Sequence, residues 1–212
     1  MGIRKLTPYL DKLEYVLLTH RHGDHFHAPA IKAIAKKKPK VKFLVPNYLA
    51  DAVRKLGVVN VYEIAPDHIH VEGTDFFTTT RIAHKNSDMS DCPNVAWRLN
   101  LGGVKILYVT DTHVLFNLVA KDYDYYIIEM NFKESELQEL IRRDLEAVGF
   151  SHRIRAKDTH LSLERAEAFL QNNVSDFSKT VIIPMHMSAT YYEDIGRMYN
   201  GGEYHGFEDL DN

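Results

Sequence analysis

The sequence contains a single cysteine, Cys92, among 212 residues. No internal disulfide framework can form, and a thiolate-rich structural zinc site within one chain is excluded. Any metal must rest on nitrogen and oxygen. A lone thiol suits a reducing compartment, so cytoplasmic residence is the expectation. Long apolar runs are also missing. No stretch approaches the roughly 20 residues that a spanning helix needs, and the N-terminus has no apolar signal region, so no membrane partner is expected. There is no excess of positive charge either. With 26 Lys and Arg against 29 Asp and Glu the net charge is −3, which excludes a general nucleic-acid coat while permitting a local basic groove. The one lysine-rich run, Lys36-Lys37-Lys38-Pro39-Lys40, falls where a helix should end. Lysines there favour the helix dipole and remain solvated.

What is present is an ordinary globular balance, 45% hydrophobic and 26% charged, enough for one domain over residues 1–212 with a frayed tail at 201–212. Apolar runs and helical periods alternate. Strands are predicted over 14–19, 41–45, 59–64, 68–71, 74–83, 95–101, 104–110, 123–130 and 180–184, with Gly102-Gly103 marking a hairpin. Helices are predicted over 28–37, 47–56, 133–148, 162–172 and 189–198. Such a mixture implies an α/β fold in which sheets are covered by helices on their outer faces.

The most informative segment is Thr19-His20-Arg21-His22-Gly23-Asp24-His25, directly after Val16-Leu17-Leu18. Imidazole and carboxylate suit zinc, manganese or iron. Positions i and i+2 of an extended segment point the same way, so His20 and His22 can grip one ion. A turn then throws Asp24 and His25 towards a second. Three more candidates stand at predicted strand ends: His84, Asp111 and His186. Taken singly, each could be a satisfied polar residue. Together they supply what the first motif lacks, including a carboxylate able to bridge two divalent ions about 3.5–4 Å apart.

With these residues in this order the chain resembles the metallo-β-lactamase superfamily. The resemblance implies a four-layer αββα sandwich. It places His20, His22 and His84 on one metal and Asp24, His25 and His186 on the other, with Asp111 shared. Glu129-Met130-Asn131-Phe132 and Asp158-Thr159-His160-Leu161-Ser162-Leu163-Glu164 resemble motifs of the phosphodiesterase branch, which includes the tRNA 3′-processing endonuclease. Small bacterial and phage members carry similar runs. The expected catalytic residues are therefore Asp24, His160 and Glu129, with His160 donating a proton to the leaving group or stabilising charge, and Glu129 orienting it. The alternative is that His160 merely caps the helix that starts near Ser162. Weaker candidates are His27 (helix start), His113 (pocket lining or surface), Arg153, Arg155 and Lys157 (phosphate contacts or a solvated loop), and Tyr191 and Tyr192 (base stacking or core).

Two departures from the family stand out. Members normally place further strands before the first motif, whereas His20 comes almost at once. The chain is thus expected to lack those strands and to leave an open sheet edge through which copies could pair. The interval between His84 and Asp111 is also too short for the tRNA-gripping arm. The expected function is a dinuclear metal-dependent hydrolase, most simply a phosphodiesterase acting on a cyclic nucleotide, another small phosphodiester or an oligonucleotide end. The alternatives are an ester, thioester or lactone hydrolase, or an inactive metal-binding interaction module.

Overall fold

Strands covered on both faces explain the layering seen in the computed structural model, which describes residues 6–116, 118–188 and 191. Strands β1 (Tyr15–Leu17), β2 (Lys42–Pro46) and β3 (Val61–Ile64) form a parallel sheet in that order. Strands β4 (His70–Glu72), β5 (Asp75–Ile82), β6 (Asn94–Leu101), β7 (Val104–Val109), β8 (Tyr125–Glu129) and β9 (Val181–Met185) form a second sheet. It is antiparallel from β4 to β7 and parallel from β7 to β9.

In β2, Phe43 and Val45 face outward onto helices α1 (Ala28–Lys37) and α2 (Asn47–Arg54), meeting Ile31, Ile34, Leu49 and Val53. Leu44 between them points the other way and packs with Ile64 against Phe77, Val95, Trp97 and Leu99 of the second sheet. Both faces are covered, which is why the run reads as uninterrupted apolar sequence. Helix α3 (Glu134–Val148) contributes only Leu137 as a buried residue. A short turn, α4 (Ala156–Thr159), leads to α5 (Leu163–Asn173), whose Ala166, Phe169 and Leu170 pack on Leu107, Val109, Tyr126, Ile128 and Ile182. The result is helix, sheet, sheet, helix: the expected αββα sandwich.

The expected elements within the described residues are present, with ends displaced by one or two positions. The strand expected over 14–19 shortens to Tyr15–Leu17, and the helix expected over 47–56 stops at Arg54. Helix α1 spans the expected 28–37 and ends two residues before Pro39. The 3₁₀ segments Thr7–Lys12 and His152–Arg155, and α4, were not expected, since one or two turns carry too little periodicity to register. The helix expected over 189–198, apart from Tyr191, lies outside the described residues, as does Tyr192. Gly102 and Gly103, at φ 57 and 98, make the two-residue hairpin turn between β6 and β7. Among the described residues no strand precedes Tyr15, β1 lies at a sheet edge, and no helix is long and apolar enough to cross a membrane.

The ends of β1, β5, β7, β8 and β9 carry His20, His84, Asp111, Glu129 and His186 respectively. A rigid sheet edge thus holds the candidate residues. Trp97, fully buried on β6, donates its indole N–H to the Leu18 carbonyl at 3.0 Å and ties the second sheet to the segment entering the histidine motif. Trp97→Phe leaves that carbonyl without this donor and is expected to cost about 1–3 kcal/mol, read as a lowered urea midpoint. An unchanged midpoint would show that the bond is dispensable.

Candidate metal centre

Imidazoles that bind an ion through one nitrogen normally have the other nitrogen engaged by a neighbour, and His20 and His22 follow that pattern, whereas the outer nitrogen of His84 is buried without a partner. His20, fully buried, has Nδ1 3.0 Å from Thr19 Oγ1, while its buried Nε2 lacks a hydrogen-bond partner. His22 has Nε2 3.0 Å from Asn86 Oδ1, and its Nδ1 lies 3.0 Å from His84 Nε2. Donor atoms of His20, His22 and His84 all lie within 4.8 Å of one another, as do those of His20, His25 and Asp111, and those of Asp24, His25 and His186. Asp111 Oδ2 is 2.5 Å from His25 Nε2 and 3.6 Å from His20 Nε2, and Oδ1 is 3.1 Å from His186 Nδ1. His186 Nε2 faces Asp24 Oδ2 at 3.8 Å. Asp24 is the outermost member, its side chain 65% exposed. The unpartnered His20 nitrogen and the facing nitrogens of His22 and His84 form a donor set that fits a borderline divalent cation. The candidates from the sequence thus converge on one rim.

Two of these residues bend the chain. Asp111 (φ 52) and His186 (φ 55) occupy left-handed backbone that L-residues other than glycine adopt at a cost of roughly 1–2 kcal/mol. Local bonds hold each bend. The buried Asn94 amide donates to the carbonyls of Thr110 (3.0 Å) and Asp111 (2.8 Å), and the Thr112 N–H donates to Glu129 Oε2 (2.9 Å). Asn131 donates to the His186 carbonyl at 2.7 Å.

Glu129 is fully buried, and its Oε1 lies 2.7 Å from His160 Nδ1 and 3.0 Å from His186 Nδ1. His160 Nδ1 is also 3.5 Å from Asp111 Oδ1. The donor atoms of Asp111, Glu129, His160 and His186 form a further close group, but bonds to Thr112, His160 and His186 already account for both Glu129 oxygens. His160 does not cap the following helix. It is extended, and Ser162 is the cap, its Oγ accepting the Arg165 N–H at 3.1 Å.

Burial makes charge on His20 and His84 costly, with neighbouring imidazoles adding to it, and lowers them to about 3 and about 4. Burial alone would raise the Asp111 carboxyl. The His25 hydrogen bond and the charges of His186, His25 and His20 outweigh it and hold Asp111 well below the usual range. Burial also opposes charge on His186, yet the bond to Glu129 and the carboxylates of Asp111, Glu129 and Asp24 raise it to about 9.

In metal-free protein the unfolded chain therefore takes up protons at His20 and His84 that the folded chain refuses. Stability falls below about pH 6.5, by up to about 1.4 kcal/mol per pH unit for each group, and this loss levels off below the folded values of about 4 and about 3. His186 acts in the opposite sense. Its contribution is full below about pH 6.5 and is lost as pH rises through about 9. The urea midpoint of chelator-treated protein is expected to peak near pH 6.5, and His84→Asn should flatten the acid limb. A midpoint that does not move between pH 5 and 6.5 would contradict these assignments.

The weaker candidates resolve differently. His27 caps α1, its Nδ1 accepting the Ala30 N–H. Arg153 pairs with Asp144 and Arg155 bonds the Ser87 carbonyl, so both are engaged by the protein itself. Lys157 is exposed. His113 is partly buried, and that burial, with the charge of Arg165 beside it, lowers its pKa. Tyr191 is a core residue packed on Phe132 and Leu137. Sequence reasoning assigned no role to Asn86, Asn94 or Asn131, although Asn131 stands in the Glu129-Met130-Asn131-Phe132 motif. The available signal was spacing, since Asn86 follows His84, and Asn131 follows Glu129, by two residues.

The sequence model of the beta-lactamase superfamily domain matches residues 3–187. The metallo-beta-lactamase fold protein YhfI from Bacillus subtilis is 17% identical, with a TM-score of 0.61 over 91% of this chain and 73% of that one. Human tRNase Z, short form, is 14% identical, with a TM-score of 0.59 over 88% and 78%. Zinc-bound PqqB from Methylobacterium extorquens is 14% identical, with a TM-score of 0.59 over 84% and 63%. At these identities the likeness is one of fold. No curated protein matches this sequence.

Proposed function

The chain belongs to the metallo-β-lactamase superfamily, whose members are mostly metal-dependent hydrolases, and on that footing we propose that it is a dinuclear phosphodiesterase. The observation that carries this reading is the Glu129–His160 pair, 2.7 Å apart and bordering Asp111 and His186. Hydrolysis of a carboxylic ester at the same centre needs no separate proton donor. Expulsion of an alkoxide from phosphorus benefits from one.

In this proposal His20, His22 and His84 would hold one ion and Asp24, His25 and His186 the other, with Asp111 as the ligand shared by both. When bound, the ions, zinc by preference with manganese or iron as alternatives, supply a water of lowered pKa and neutralise charge on the phosphoryl oxygens. Glu129 accepts from His160 Nδ1 and so fixes the ring plane. The Nε2 proton of His160 passes to the leaving oxygen as the bond to phosphorus breaks. Asn131 and Asn94 keep His186 and Asp111 in the bent conformations that aim them at the centre. The substrate class is a cyclic nucleotide, another small phosphodiester or an oligonucleotide end.

A panel of these three classes, with a carboxylic ester, a thioester and a lactone, tests the proposal on zinc- or manganese-loaded protein. Chelator-sensitive turnover of a phosphodiester exceeding that of every carboxylic substrate is the expected result. Faster ester, thioester or lactone hydrolysis would assign the protein to another branch. Metal-loaded protein inert on the whole panel would favour an interaction module.

A further inference from the structure

The loop after β5 is closed by its own bonds. The Asn86 N–H donates to the Ser90 carbonyl (2.8 Å), the Met89 N–H to the Asn86 carbonyl (2.9 Å) and the Cys92 N–H to the His84 carbonyl (3.0 Å), while Lys85 pairs with Asp91. Arg155, in the turn that leads towards His160, donates to the Ser87 carbonyl at 2.7 Å and ties the loop to the opposite side of the centre. Within this frame the Asn86 side chain has one permitted orientation. Its Nδ2 faces Ser90 Oγ at 2.9 Å and the Asp91 carbonyl at 3.3 Å. A carbonyl only accepts, so the amide nitrogen must be on that side. Oδ1 then faces His22 Nε2 at 3.0 Å, and that nitrogen must carry the ring proton. The lone pair is left on Nδ1, which points at His84 Nε2 from 3.0 Å.

We propose that Asn86 is a positioning residue of the centre, selecting the His22 tautomer whose Nδ1, and not Nε2, is presented to the ion. The inference rests on the reading of His20, His22 and His84 as ligands. Its physical basis is that an imidazole with a fixed outer hydrogen bond enters coordination already oriented and in the correct tautomer. Asn86→Leu removes the acceptor and both donors, whereas Asn86→Asp keeps the acceptor but loses the donors that brace the loop. A purely structural role predicts equal damage from the two substitutions. A positioning role predicts that they separate.

The test is a titration of chelator-treated protein with zinc against a competing chromophoric chelator, alongside ¹⁵N spectra of the His22 ring in the metal-free state. The expected result is a loss of about 10–100-fold in affinity for Asn86→Leu, with affinity held or raised in Asn86→Asp. The His22 ring should be protonated at Nε2 in the native chain and lose that preference in the leucine variant. Equal weakening in both variants, or a leucine variant with native affinity and an unchanged tautomer, overturns the inference while leaving the ligand set standing. A native protein that takes up no zinc overturns the ligand reading and this inference together.

Discussion

Asp111→Ala is expected to lower phosphodiester turnover about 10³-fold or more and to leave at most one ion per chain. Its Oδ2 sits between His20 and His25, and its Oδ1 contacts His186. Among the described residues it is therefore the one carboxylate that touches both halves of the ligand set. In the proposed centre its removal would take a ligand from each ion, along with the negative charge that would offset two cations in a buried site. A loss of several kcal/mol in transition-state stabilisation corresponds to the stated factor at 1.36 kcal/mol per decade. Metal analysis and kcat/KM, measured on the same preparation, check it. Asp111→Asn separates charge from shape, since it keeps an oxygen ligand but not the charge, and a comparably large loss is expected. Two bound ions with near-native turnover in either variant would remove Asp111 from the bridging position.

His160→Ala is expected to reduce kcat by about 10²–10⁴-fold for an alkoxide leaving group, with metal content unchanged and KM little altered. The size of the effect should depend on the leaving group. A nitrophenolate departs without a proton, so on an aryl phosphodiester the same substitution should cost far less. That dependence distinguishes a proton donor from a residue that only shapes the site, because a misshapen site would slow both substrates alike. Glu129→Gln should weaken the same step by loosening the His160 ring, and should also affect ion binding, since Glu129 contacts His186 at 3.0 Å. Equal losses on alkyl and aryl substrates would refute the donor role.

The residues that the sequence made legible are those whose chemistry shows in a local pattern. His20 and His22 announce themselves by i, i+2 spacing at the end of an apolar run, and the two-layer core by strands such as Phe43-Leu44-Val45 that are apolar on both faces. Taken singly, His84, Asp111 and His186 read only as polar residues at strand ends, and it took the family resemblance to name them as ligands, because their meeting depends on the order of strands in the second sheet. The supporting role of the amides was not legible, although spacing placed Asn86 and Asn131 two residues after a candidate. Asn94 and Asn131 matter because Asp111 and His186 take positive φ, a backbone property with no signature in the residue types themselves. The competition between His160 and Ser162 for the helix start was likewise open in the sequence. Geometry resolves it, since a hydroxyl one turn ahead of the Arg165 N–H is the better cap and the imidazole is drawn to the buried Glu129.

The most direct test of the account is diffraction from zinc-loaded crystals recorded on both sides of the zinc absorption edge. Two anomalous peaks about 3.5–4 Å apart are predicted, one among His20, His22 and His84 and the other among Asp24, His25 and His186, with Asp111 between them. A single peak, or peaks away from these side chains in protein that hydrolyses phosphodiesters, would contradict it.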